Sequence, residues 1–250
     1  MRFNIGDEVT LGSSNLIFRL IDYNQNKAVL SGKSFRLIKE VDENELISAR
    51  FFRDVDYSLP QLNRIDTKVK KGRVLHIDGD EYYLNRALQI YKYYKIPTVG
   101  YHIQEIRMKD VIVDLIKKHE PDIVVLTGHD GLITGKEDKL YDETSYRYSS
   151  YYRDAVKNIR SFRPNLDDLI IVSGACQSYY ELLIDAGSNF ASSPKRDYIH
   201  LMDPVIIATI ISSSSINEWI DLRATIEKTI TKHIGGLDTR GKARKIYDGS

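Results

Sequence analysis

Ile123-Val124-Val125-Leu126-Thr127-Gly128-His129-Asp130-Gly131 and Leu169-Ile170-Ile171-Val172-Ser173-Gly174-Ala175-Cys176-Gln177-Ser178 are the two stretches on which the fold of this chain turns. Each is a short apolar run that ends in small residues, as a strand buried on both faces of a parallel sheet does. If both belong to one sheet, their carboxyl ends bring an imidazole and the chain's only cysteine to the same rim, where open α/β sheets place their sites. A cysteine-histidine dyad is the expectation.

The surrounding sequence keeps the same rhythm. Val74-Leu75-His76-Ile77 reads as an earlier strand, followed by Asp78-Gly79-Asp80 and a helical stretch to about Lys95. Next come a strand over 98–103, a helix over 104–119, the strand at 122–126 and a long loop. A helix over 153–161, the strand at 169–172, a helix over 179–186 and a short strand at 189–193 follow, and the remainder reads as mostly helical through Ile234. Strand and helix alternating with right-handed crossovers predict an α/β fold with a doubly wound, mostly parallel sheet.

Before Arg73 the pattern differs. Asp7-Glu8-Val9-Thr10-Leu11, Ile17-Phe18-Arg19-Leu20-Ile21 and Ala28-Val29-Leu30 alternate with period two between turn-forming residues, the signature of a small antiparallel barrel of SH3-like size. The chain therefore divides into a barrel over 1–50, a linker over 51–72 without clean periodicity, and the α/β domain over 73–250. The basic stretch Arg240-Gly241-Lys242-Ala243-Arg244-Lys245 reads as a mobile tail.

Composition narrows the function. With 36 basic and 35 acidic residues the net charge is +1, so no global field favours nucleic acid or an anionic membrane. One cysteine forbids an internal disulfide, which suits a reducing compartment. Neither a basic-then-apolar leader nor a membrane-length apolar run is present, so a cytoplasmic protein is expected. No Cys/His spacing suggests zinc, and no metal or cofactor is expected.

A lone cysteine is ordinarily a small buried hydrophobe. Gly174 and Ala175 before Cys176 leave room for a substrate, and the helix expected after Ser178 favours a thiolate. His129 between Gly128 and Gly131 sits in a turn whose amides could face an oxyanion, with Asp130, Gly131 and Cys176 as candidate donors. His76 and His102 alternate with core residues and read as structural. Asp78-Gly79-Asp80-Glu81 looks like the acidic corner of a receiver domain, but Thr127-Gly128-His129 supplies no phosphoacceptor, so the cluster is read as a helix cap. The tyrosines 141, 146, 148, 151 and 152 are read as an aromatic loop that serves as lid or substrate platform.

Gly128-His129-Asp130-Gly131 with Gly174-Ala175-Cys176-Gln177-Ser178 resembles the histidine and cysteine motifs of the caspase-like peptidases of clan CD. Val74-Leu75-His76-Ile77-Asp78-Gly79-Asp80-Glu81-Tyr82-Tyr83-Leu84, the histidine turn and Ser173-Gly174-Ala175-Cys176-Gln177-Ser178-Tyr179-Tyr180-Glu181 are similar to the YabG family of sporulation-specific peptidases, family U57, over nearly the whole chain. The resemblance implies a caspase-like domain, with Cys176 and His129 as dyad, that cuts spore coat and cortex-associated proteins in the mother cell. One departure is that Asp130 stands where the clan has glycine directly after the histidine. In related peptidases the strand after the cysteine walls the pocket for the residue before the cut. Ala191-Ser192-Ser193-Pro194 resembles that segment, and either Asp197 or Asp203 behind it would select arginine or lysine by charge. Two rival readings are a non-enzymatic receiver-like module that binds protein or nucleic acid at the spore, and an amidase that uses the same dyad.

Overall fold

The computed structural model describes residues 2–12, 16–25, 27–49 and 69–247. The first unit is an antiparallel sheet of β1 (Glu8–Leu11), β2 (Phe18–Asn24), β3 (Lys27–Gly32), β4 (Ile38–Asp42) and β5 (Leu46–Ser48), in the order β4-β3-β2-β1-β5. Its period-two alternation turns Val9, Phe18, Leu20, Leu30, Val41 and Leu46 to one apolar cluster. That cluster is completed by Cys176 and Ile199 from far along the chain. The sheet thus packs directly onto the candidate site.

The expected linker lies outside the described residues over 51–68. Its end, Val69–Lys70, is not linker but strand β6. From there the order is β7 (Val74–Asp78), α1 (Glu81–Tyr93), β8 (Thr98–His102), α2 (Glu105–His119), β9 (Ile123–Thr127) and α3 (Ser149–Phe162). Then follow β10 (Ile170–Ser173), α4 (Tyr180–Asp185), β11 (Phe190–Ala191), α5 (Asp203–Ser213), α6 (Leu222–Glu227), β12 (Gly235–Gly236) and β13 (Arg244–Lys245). The main sheet runs β12-β11-β10-β9-β7-β8, parallel except for β12 at the edge.

One apolar layer, with Tyr91 of α1 and Ile206 and Ile207 of α5, covers one face of this sheet, and another, with Met108 and Ile112 of α2 and Val156 and Ile159 of α3, covers the other. Being sandwiched makes β9 and β10 largely apolar and leaves β7, β9 and β10 buried throughout, with His76 and Asp78 as the polar residues of β7. The alternation of strand and helix expected from the sequence is what these two layers require.

Three expectations change. Helix α3 starts at Ser149 rather than 153, because the carboxylate of Asp130 caps it from a distance, accepting bonds from the Tyr148 amide (2.9 Å) and the Ser149 hydroxyl (2.6 Å). The stretch after 189 is helical only in α5 and α6. The basic C-terminal stretch is not a free tail: β13 pairs with β6, Ala243 bridges Ser215, and the buried Lys242 donates to the Asp168 carbonyl at 3.0 Å.

Candidate active site

β9 and β10 are neighbours in register, with Leu126 opposite Ser173, so the turns that follow them rise side by side. Asp130 ties them together. Its buried carboxylate accepts from Ser178 Oγ (2.8 Å) in the cysteine turn as well as from Gly131 N (2.8 Å) and the start of α3. Burial pushes its pKa up, opposed by these hydrogen bonds. Asp130 therefore clamps the two turns, and its side chain makes no bond to the His129 ring.

His129 is held from three sides. Its amide donates to Glu105 Oε1 (2.9 Å), its carbonyl accepts from the Tyr152 hydroxyl (3.3 Å), and Nε2 lies 3.0 Å from Asp80 Oδ2 and 3.2 Å from Ser31 Oγ. An ionised carboxylate only accepts, so the Asp80 contact puts the ring proton on Nε2 and leaves the lone pair on Nδ1. Nδ1 is buried with no hydrogen-bond partner among the described residues. Gly128 is needed for this arrangement, because a Cβ there would collide with the Glu105 carboxylate and the Tyr152 hydroxyl. Beside the ring lies an open cavity of about 260 Å³ bounded by Ile38, Gly79, Glu105 and Tyr148.

Cys176 is fully buried. Sγ lies 3.3 Å from the Ile199 carbonyl, to which it donates, and 3.2 Å from the Ile199 amide, from which it accepts. Burial pushes the thiol pKa well up, so in this state the sulfur keeps its proton at neutral pH. Among the described residues Sγ and the imidazole share no hydrogen bond.

Between the two turns lies a segment from the first sheet. Phe35 pairs antiparallel with His200, the Arg36 amide donates to Ile199 O (3.4 Å), and the Leu201 amide donates to Ser34 O (3.1 Å). On the other side Leu37 pairs parallel with Asp130, and the Ile38 amide donates to Asp130 O (3.2 Å). The Arg36 carbonyl accepts from the Cys176 amide at 3.1 Å and faces the Asp130 amide at 3.5 Å. Gly131, the other candidate donor, spends its amide on the Asp130 carboxylate.

The Arg36 side chain is fully buried in a pocket formed by the ends of β7 and β9. Its Nη1 lies 2.9 Å from Asp78 Oδ2 and donates to Gly128 O (3.3 Å). Nη2 donates to Leu201 O (3.2 Å), and the guanidinium stacks 5.0 Å over the Tyr83 ring. Burial alone would raise the Asp78 pKa, but the adjacent guanidinium, with His76, holds it well below the usual carboxylate range. Thr127 Oγ1 (2.9 Å) and the Asp80 amide (3.0 Å) bond the same carboxylate.

Of the residues expected to line a specificity pocket, Asp203 borders the Ile199–Leu201 segment beside Arg36, its Oδ2 accepting from the His200 amide at 3.1 Å. Asp203 opens α5 and holds the loop at Ile230 and Thr231, with 2.7 Å to the Ile230 amide. Asp197 is partly exposed, 3.9 Å from His233. Ser192 Oγ donates to Ser178 O (3.0 Å), and Ser193 Oγ accepts from the Lys195 and Asp197 amides, both at 3.2 Å. The segment that pairs with Ser34–Arg36 is Ile199–Leu201. The tyrosine cluster is largely consolidated: Tyr152 is core, and Tyr146 stacks on Tyr179 and binds Arg196, leaving Tyr141 exposed.

Sequence reading missed Arg36, Asp78 and Asp80 as parts of one constellation. The available signal was Asp78-Gly79-Asp80 at a strand's carboxyl end. The capping function read there is present, since Asp80 accepts from the Tyr83 amide (3.1 Å) at the start of α1. Among the described residues no group of three or more His, Cys, Asp or Glu is placed to hold a metal, and no helix is long and apolar enough to cross a membrane.

The family model of the YabG peptidase U57 matches residues 53–248. The chain is 36% identical to the sporulation-specific protease YabG of Bacillus subtilis (strain 168), an alignment that covers 98% of this chain and 97% of that protein. No solved structure matches.

Proposed function

The chain belongs to the YabG peptidase U57 family, and from that premise we propose that it is a cysteine endopeptidase of sporulation that cuts polypeptides after a basic residue. The observation that carries this reading is the seating of Arg36, with its guanidinium on Asp78 while its carbonyl faces the amides of Cys176 and Asp130. A basic residue before the cut is recognised there by charge and a planar fork of donors. Two convergent amides are what the oxyanion of a tetrahedral intermediate needs.

In this mechanism Sγ leaves Ile199 and passes its proton to His129 Nδ1, and the resulting thiolate attacks the carbonyl carbon. Charge on the oxygen is held by the Cys176 and Asp130 amides. The C–N bond breaks as Nδ1 returns the proton to the leaving amine, giving a thioester and a new amino terminus. A water that loses a proton to Nδ1 then hydrolyses the thioester and frees the thiol. Asp80 keeps the ring in the tautomer this requires. By this reading the fold is of the caspase-like kind, and the substrates are spore coat and cortex-associated proteins met in the mother cell. A polypeptide substrate is favoured over a small amide because backbone of Ile199–Leu201 is offered for strand pairing, as it pairs with Ser34–Arg36.

The test is hydrolysis of an arginyl peptide amide and of a coat-protein extract. Cys176→Ala and His129→Ala are each expected to lower kcat by on the order of 10³-fold or more, with circular dichroism unchanged. Turnover near wild type in either variant ends the dyad assignment.

A further inference from the structure

Resting on that reading, we propose that the chain is the first occupant of its own cleft: Phe35-Arg36-Leu37-Ile38 is a tethered substrate mimic, and other polypeptides enter only when it leaves. An arginine kept merely to complete a buried ion pair would need only its side chain placed. Here the backbone is placed as well. Ser34–Arg36 runs antiparallel along Ile199–Leu201, Leu37 and Ile38 run along Asp130, and the Arg36 carbonyl sits between the two amides of the proposed oxyanion hole. Side chain, carbonyl and flanking strand pairing together define Arg36 as the residue before the cut and Leu37 as the residue after it.

The tether is short at both ends, because β3 stops at Gly32 and β4 starts at Ile38. The Tyr83 hydroxyl pins the connection, donating to the carbonyls of Gly32 and, at 3.0 Å, Phe35. Gly131 allows the approach, since a Cβ there would strike the Ile38 carbonyl. The occupied site is at rest. The Leu37 amide turns back on Phe35 O (3.0 Å), Sγ is engaged with Ile199, and Nδ1 of His129 has no partner among the described residues. Arg36 Nε is likewise buried without a partner there, so the pocket holds the guanidinium without satisfying every donor, as suits an occupant that must depart.

A segment tethered this closely competes at an effective concentration of roughly millimolar or more. The substrate class follows from its register: an extended polypeptide with an aromatic or apolar residue before arginine and an aliphatic residue after it.

The experiment compares the full chain with its Arg36→Gln and Cys176→Ala variants on a fluorogenic amide of Lys-Ser-Phe-Arg, the sequence of residues 33–36. Arg36→Gln is expected to lower the apparent KM at least about 10-fold with little change in kcat. Cysteine-dependent hydrolysis with the same KM in both chains overturns the inference and leaves the proposed function standing. Hydrolysis that persists in Cys176→Ala, or is absent from every chain, overturns both. Hydrogen exchange on the wild type, with and without an arginyl peptide aldehyde, keeps the question answerable if Arg36→Gln does not fold. The Arg36 and Ile38 amides should lose protection as the aldehyde takes the cleft, and unchanged protection with the aldehyde bound refutes the occupancy. Cleavage of Arg36–Leu37 in the wild type but not in Cys176→Ala is the same occupancy carried to product and supports it.

Discussion

Asp78→Asn tests the pocket most directly. The substitution keeps shape and removes one charge from a pair in which both side chains are fully buried and 2.9 Å apart. Breaking a buried pair by neutralising one partner costs about 3–5 kcal/mol, because the other charge is left uncompensated. For a substrate whose arginine replaces Arg36 in the pocket, that is roughly a 10²- to 10⁴-fold loss in kcat/KM relative to an uncharged peptide, since the weakened hold on the tethered Arg36 favours both peptides alike. A peptide with citrulline in that position, which keeps the shape but carries no charge, should lose far less. The assay is the ratio of kcat/KM for the arginine and citrulline peptides in wild type and variant. The same substitution should lower unfolding stability, and combining it with Arg36→Gln should cost clearly less than the sum of the two single changes, since no lone charge remains. Equal losses for both peptides, or additive stabilities in the double variant, would refute the assignment of Asp78 as the acid that reads the basic residue.

Gly128→Ala should destabilise by about 1–3 kcal/mol in chemical denaturation and weaken activity, because the new methyl group meets the Glu105 carboxylate that holds the His129 amide. Stability should also fall on acidification. His200 is held down at about 3 by burial and then by nearby Arg36 and Arg86, while its unfolded counterpart titrates near 6.5. The unfolded chain therefore binds the extra proton across that interval, and stability is full above about pH 6.5 and declines by up to about 1.4 kcal/mol per pH unit below it. Asp78, also depressed, adds to the loss below about pH 4. Denaturation midpoints measured from pH 8 to pH 4 check this, and a flat profile contradicts it.

The parts of the site that were legible in sequence were those set by strand burial. A strand covered on both faces is mostly apolar, so β9 and β10 announced themselves and their carboxyl ends located His129 and Cys176. Local chemistry was legible too, as in the cap at Asp80. What stayed hidden depends on pairs joined only by tertiary structure. Arg36 lies in an unremarkable strand connection, and nothing near it in sequence signals that its partner is Asp78. Sequence reading looks for a pocket acid after the cysteine, at Asp197 or Asp203, whereas the acid proposed from the structure is Asp78, which the sheet order places beneath the histidine turn by setting β7 beside β9. The start of α3 was hidden for the same reason, its cap being the distant Asp130.

Cys176 shares one apolar cluster with Val9, Phe18, Leu30 and Leu46 of the first sheet. The amino-terminal module is therefore not an appendage that could be exchanged while the Cys176 sulfur keeps its surroundings. Whatever loosens that module, whether a binding partner, a mechanical pull or a change in its loops, alters the solvation of the thiol directly. On the proposed mechanism, control over the chemistry is thereby written into a region that contributes none of the residues that carry it out.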